Sequence, residues 1–495
     1  MSALLDLTRD VLSTVIGVLE LPILLYFGLV NSSYLLLIML AATGFVHHVR
    51  RIEHSGREET VGSQFAPGVS ILVPAHNEEA GIVASVQAML ALRYPRHEIV
   101  VIDDGSTDAT FERLRAAFDL VRIDRELPCE IPVKGRIVDV WVPRDGRTRL
   151  TTVRKENGGK TDALNVGINT ATEPLIAMID ADSILDPDAL VTVAKPFADD
   201  PVRTVATGGV IRAANGCTVV AGRLVTIRTP RTWLPRIQVV EYLRAFFLGR
   251  SGWSRLRALV LISGAFGMFR RDVLVEVQGM DTDCIGEDFE LVMRIHRHMQ
   301  QTQRDYHVEF VPEPVAWTEV PATLQVLRSQ RRRWHRGLWE VLWKYRGMLL
   351  RPRYGSVGLI ALPYFWVFEL FAPVIEIAGL ILISVGMVLG VVDLATVAIF
   401  LMIAYGYAIV VTLAAMAVEE LSFHRYPRWR DLGATLLAAV VENFGYRQLT
   451  AWWRLEGLID GLRGGKHVWG TMTRQGFGPP MVEPEKLESR KERTS

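Results

Sequence analysis

Three long stretches of this chain, 22–49, 355–392 and 395–418, carry almost no charge. They bracket a region of ordinary soluble composition. A helix needs about 20 apolar residues to cross a bilayer, so each stretch is long enough to span one. Hydrophobic residues make up 49% of the 495 and charged residues 22%. The mean hydropathy of +0.21 therefore reflects lumps of apolar sequence rather than a uniformly greasy chain. The formal net charge of +1 argues against a dedicated nucleic-acid binder. Cys129, Cys217 and Cys284 are odd in number and widely spaced. They offer no disulfide framework and no CxxC metal site, which fits a reducing compartment.

Residues 1–20 mix Leu4, Leu5, Val11, Leu12, Val15 and Leu19 with Asp6, Arg9, Asp10 and Glu20 at helical spacing. This reads as an interfacial helix that leads into a span ending near residue 51. His47, His48, Arg50 and Arg51 follow the first apolar run, and His424, Arg425, Arg428 and Arg430 follow the last. Basic flanks face the cytosol, so residues 52–350 between the spans are expected there. A cleaved signal peptide fits less well. Asp6 and Asp10 offset Arg9, and Ala41-Ala42 lies inside the apolar run rather than after it.

The expected organisation is an anchor over 1–51, a polar linker over 52–66 and a catalytic domain over 67–325. Amphipathic helices on the membrane face would follow over 326–354, where Trp334, Trp339 and Trp343 alternate with arginines. Spanning and interfacial helices over 355–453 and a charged tail over 454–495 complete the chain. Inside the soluble region, strand-like runs at 69–74, 98–103, 150–154, 174–180 and 202–211 alternate with helical patterns at 78–92, 107–117, 161–170 and 187–197. That alternation predicts an α/β domain with a mostly parallel sheet. The insert 118–147 matches no element pattern.

Ligands of parallel sheets bind at the carboxyl ends of strands, and the polar clusters fall there. Pro74-Ala75-His76-Asn77-Glu78 follows the first strand, Asp103-Asp104-Gly105-Ser106 the second and Asp180-Ala181-Asp182 the fourth. One such acidic pair could simply cap the next helix; three at three strand ends are hard to explain that way. Asp180 and Asp182, two residues apart, could share a hard cation such as Mg²⁺ or Mn²⁺. The run 155–160, Lys-Glu-Asn-Gly-Gly-Lys, precedes a helix and suits a phosphate or a nucleobase carbonyl. Asp288, after Gly286-Glu287, opens a helix over 289–298. It is either a dipole-favoured cap or a general base. Gln330, Arg333 and Trp334 combine a guanidinium suited to diphosphate with an aromatic ring suited to a sugar face. A basic face on the membrane surface is the plainer reading of those arginines.

In this order the motifs resemble the inverting family-two glycosyltransferases, closest to their membrane-integrated processive branch: cellulose, chitin, hyaluronan and poly-N-acetylglucosamine synthases. The resemblance covers about residues 68–345. It implies a GT-A (Rossmann-like) cytosolic domain joined to transmembrane and interfacial helices. It also implies that Pro74, Ala75, Glu78, Asp103, Asp104 and Lys160 bind the nucleotide, and that Asp180 and Asp182 support UDP and its metal. Asp288 would be the catalytic base. Arg333 would bind the diphosphate, Gln330 and Trp334 the acceptor sugar, and Gly264 would line the acceptor site. The expected partners are a UDP-sugar, a carbohydrate or glycolipid acceptor, the inner membrane, and an accessory subunit or a second copy of the chain. Transfer to a growing polysaccharide is the leading reading. Single transfer to a lipid, or a silent nucleotide-binding scaffold, are the competing ones. Gly286 departs from the threonine many relatives carry there.

Overall fold

The computed structural model describes residues 2–54, 66–423 and 429–464. The strand–helix alternation builds a ten-stranded mixed sheet. Its strands are β1 (Val69–Ala75), β2 (His97–Asp104), β3 (Leu120–Ile123), β4 (Ile137–Pro143), β5 (Leu150–Lys155), β6 (Leu175–Ile179), β7 (Ile184–Leu185), β8 (Thr204–Ala213), β11 (Phe266–Arg270) and β12 (His307–Thr318). A separate hairpin pairs β9 (Thr218–Val220) with β10 (Arg223–Thr226). The order across the sheet is β3-β4-β5-β2-β1-β6-β11-β8-β12-β7. The central strands β5, β2, β1 and β6 run parallel. Both faces of β1 and β6 are covered, so they read as apolar runs, broken only by buried Ser70 in β1, rather than alternating ones.

The insert 118–147 turns out to contain β3 and β4, which extend the sheet, β4 antiparallel to β5 and β3 antiparallel to β4. Ile131 between them is fully buried. Its N–H donates to Asn169 of the helix Lys160–Thr170, and Asn169 donates back to its carbonyl.

At the other end of the molecule, Ser2–His54 is one continuous 53-residue helix. The expected interfacial helix and first span are therefore a single element. Asp10–Thr43, Val357–Val388 and Leu394–Val418 are each long and apolar enough to cross a membrane. Asn31 does not interrupt the first of these, because its amide donates to the Ile403 carbonyl and is buried. The segment 432–453 resolves into two helices, Trp429–Val441 and Tyr446–Arg463, with a turn between them. The linker at 55–65, the basic residues 424–428 and the tail beyond 464 lie outside the described residues.

The sheet domain and the spans share one apolar core. Trp253 meets Tyr364 edge-on at 4.8 Å, and Phe289 lies 5.7 Å from Phe365. Phe289 sits one residue past Asp288, so the start of that helix is seated on a membrane-side aromatic.

Candidate active site

β1, β2 and β6 end side by side, with Ala75 paired to Asp103 across the first two. Asp103 and Asp104 are nearly buried. Asp103 accepts from the Ser106 amide at 3.1 Å. Asp104 accepts from Lys155 Nζ at 2.6 Å and from the amides of Gly158 and Gly159 at 2.9 and 2.8 Å. It thus shapes the glycine loop from below. Gly105 has φ +67°, and a Cβ there would stand 2.7 Å from the Asn157 amide nitrogen, so only glycine fits.

The two lysines of the loop have different fates. Lys155 is fully buried between Asp104 and Asp162, the latter at 2.9 Å. Asp162 also accepts from the amides of Lys134 and Gly135. Sequence reading passed over this pair, since an Asp in the first turn of a helix looks like a solvated, dipole-favoured charge. Lys160 instead reaches the open side of the sheet. Its Nζ is 2.5 Å from Asp180 Oδ1, 4.0 Å from Glu287 Oε1, and donates to the Gly264 carbonyl at 3.3 Å. Burial works against its charge, but Asp180, Glu287 and Asp288 outweigh that and hold the ammonium above the usual lysine range.

Gly264 carries the chain of contacts onward: its N–H donates to Asp288 Oδ2 at 3.1 Å. Asp288 also accepts from the Phe289 amide through Oδ1. Asp288 is therefore tied into the first turn of its helix and, through Gly264, to Lys160. Glu287 beside it is pushed up to about 7, chiefly by burial; Lys160 opposes the shift and Asp288 adds to it. Arg294, two turns on, does not face Asp288; it pairs with Glu290 at 2.7 Å. Arg250 went unnoticed in the sequence. Its Nη1 is buried without a hydrogen bond and its guanidinium lies over the Phe246 ring at 3.8 Å. Burial lowers it to about 10, while nearby Asp288 and Tyr242 favour the charged form.

The helix Leu324–Lys344 brings in Gln330, Arg333 and Trp334. A Cβ on Gly337 would fall 3.0 Å from Gly286 Cα, and one on Gly286 would fall 3.3 Å from the Gly337 backbone. Glycine at 286 is thus explained by close backbone approach. Buried Glu290 fastens the same two helices, accepting from Lys344 Nζ and the Tyr345 hydroxyl. Gln330 is buried with Oε1 unbonded, while Trp334 is half exposed beneath the Arg331 guanidinium. Arg331 and Arg332 are committed to Glu241 and Asp460.

Asp180 and Asp182 flank the tight turn that follows β6, where the Ser183 amide donates to the Asp180 carbonyl. No group of three or more His, Cys, Asp or Glu side chains suited to a metal occurs among the described residues. Two carboxylates at one strand end, one already holding an ammonium, nonetheless form a hard oxygen donor set that fits a divalent cation.

Residues 70–126 match the model of "Glycosyl transferase family 2", and residues 175–411 that of "Glycosyl transferase family group 2". Together the two matches span more than half of the chain. The chain is a glycosyltransferase with family-2 domains. Poly-beta-1,6-N-acetyl-D-glucosamine synthase of Staphylococcus aureus strain COL is 28% identical over 302 residues, 60% of this chain and 61% of that protein. The synthase of the same name from Staphylococcus epidermidis is 28% identical over 282 residues, 56% of each chain. This glycosyltransferase thus aligns with about three-fifths of the length of such relatives. Among solved structures, the mannosyltransferase PcManGT from Pyrobaculum calidifontis, in complex with GDP-Man and Mn²⁺, has a TM-score of 0.48 at 17% identity, covering 88% of this chain and 99% of its own.

Proposed function

We propose that this protein is a membrane-bound inverting glycosyltransferase that moves a hexose or N-acetylhexosamine from a UDP-sugar to a growing polysaccharide. The observation that carries the reading is the contact chain Asp180–Lys160–Gly264–Asp288, which joins a strand-end carboxylate to a helix-start carboxylate. On this reading the strand ends and the glycine loop hold the nucleotide, with Pro74, Ala75, Glu78, Asp103 and Asp104 around the base and ribose. Asp288 takes the proton from the acceptor hydroxyl as the new bond forms on the opposite face of the donor sugar. Arg333 binds the departing diphosphate, and Gln330, Trp334 and Gly264 line the acceptor side. Asp180 and Asp182 would hold Mg²⁺ or Mn²⁺, which supplies charge neutralisation of the diphosphate.

The named synthases support an N-acetylhexosamine and a polymer product. The three long apolar helices support an inner-membrane, multi-pass protein with its sheet domain in the cytosol. An accessory subunit or a second copy would enlarge so small a membrane part. The test is to incubate membranes containing the protein with a panel of radiolabelled UDP-sugars, with and without EDTA, and to size the product. Long EDTA-sensitive polymer from one sugar supports the reading. A single sugar on lipid supports glycolipid synthesis instead. No incorporation from any UDP-sugar contradicts both.

A further inference from the structure

Lys160 occupies the carboxylate that the proposed cation needs. Its ammonium sits 2.5 Å from Asp180 Oδ1, and its side chain is about three-quarters buried. A divalent cation bound through the same oxygen cannot coexist with an ammonium at that distance, since like charges so close in a partly dry site repel strongly. Lys160 is also not locked in place. Its other contacts are a long hydrogen bond to the Gly264 carbonyl and a 4.0 Å approach to Glu287. Glu287 thus offers a second carboxylate within reach of a small side-chain movement. Lys155 makes the contrast plain: it is fully buried, bonded at 2.6 and 2.9 Å to two carboxylates, and has nowhere to go.

From this geometry we infer that Lys160 is a built-in counter-cation of the donor site. It neutralises Asp180 when the site is empty and yields that oxygen to the divalent cation when the donor loads. The role is one of positioning. It rests on the cation reading of Asp180 and Asp182 given above. Its consequence is that the empty protein binds the metal alone weakly, because the metal must first displace an ammonium. Since Lys160 also bonds to the Gly264 carbonyl, whose neighbouring amide holds Asp288, its departure alters the surroundings of the base only once the donor site is filled.

The experiment is Mn²⁺ binding to the purified full chain in detergent, without nucleotide, followed by electron paramagnetic resonance of the free ion. Lys160→Met keeps the apolar stem and removes the charge. It should bind Mn²⁺ at least about tenfold more tightly than wild type, a coupling of ordinary size for two linked sites. Lys160→Arg keeps the charge and should stay near wild type. The gain must also vanish in the Asp180→Asn background, because the competition runs through that carboxylate. A general change in local field would leave the gain in place there. Thermal unfolding of each variant confirms that it is folded. Mn²⁺ binding that depends on Asp182 but is no tighter in Lys160→Met overturns this inference alone. So does a gain that persists without Asp180. No Mn²⁺ binding in wild type or in Lys160→Met removes the cation reading of the site and this inference with it.

Discussion

Two regions of the molecule gather buried charge, and they do so in opposite ways. At the strand ends, Asp104, Lys155, Asp162 and the loop 157–160 lie within 59 residues of one another and close a compact ionic knot. Among the apolar helices, a cavity of about 170 Å³ is lined by Tyr26, Asn31, Arg244, Glu369, Glu376, Glu442, Arg447 and Arg454. Its pairs are Arg244–Glu442 at 2.6 Å, Arg447–Glu376 at 2.7 Å and Arg454–Glu369 at 3.4 Å. They join residues 71 to 198 positions apart. The first region is organised by short loops after strands. The second exists only once distant helices have packed. Charge in an apolar surrounding is costly unless paired, so both networks are structural commitments.

The difference decides what each mutation should do. Lys155→Met strands Asp104 and Asp162 inside the sheet domain. Breaking a buried pair from one side costs roughly 3–5 kcal/mol. Because Asp104 shapes the glycine loop, UDP affinity should fall along with thermal stability. A variant that melts like wild type would show that the knot is not what holds the loop. Glu442→Gln keeps the shape of the chamber but takes one charge from a pair whose arginine is partly exposed and also donates to Thr412. A smaller loss of about 1–2 kcal/mol is expected, read as a lower melting temperature in detergent, with UDP affinity unchanged. Equal losses of UDP affinity in both variants would mean that the two regions are one functional unit.

The smallest effect concerns pH. Glu287 is raised from an ordinary carboxylate value to about 7 in the folded protein, mainly by burial. The fold therefore binds more protons than the unfolded chain between about pH 4.5 and 7. Its contribution to stability is present at the acid end and is lost as pH rises through that window. Wild type should thus lose some thermal stability across it relative to Glu287→Gln, whose amide does not titrate. Parallel pH curves for the two proteins would reject the raised value.

The same contrast explains what could be read from the sequence. Strand ends announce themselves locally: a β-branched apolar run followed by Asp-Asp-Gly-Ser or Asp-Ala-Asp is visible in a ten-residue window. So β1, β2, β5, β6 and β8 were legible, along with Asp180, Lys160 and Asp288. The strands toward both edges were not. β3 and β4 are short runs, each broken by one charged residue, Arg122 and Asp139, and β12, next to the far edge, contains Pro312 and Pro314, which break the pattern and shift its register. The chamber had no local signature, because Glu376 or Arg447 in an apolar run reads only as an interruption. Gly286 looked like a departure from a pattern until Gly337 was found against it, a contact between positions 51 apart. Arg250 was one arginine among many until its burial near Asp288 was seen.

The central claim is that Asp288 removes the acceptor proton while the strand ends and Lys160 hold the donor. Asp288→Asn preserves size and helix-start geometry, since Asn caps about as well as Asp, but it cannot take a proton. UDP binding and turnover should be measured on the same preparation. The account predicts nearly unchanged UDP affinity and a fall in kcat of roughly 10²–10⁴. Turnover close to wild type would contradict it and leave Asp288 as no more than a first-turn residue of a well-packed helix.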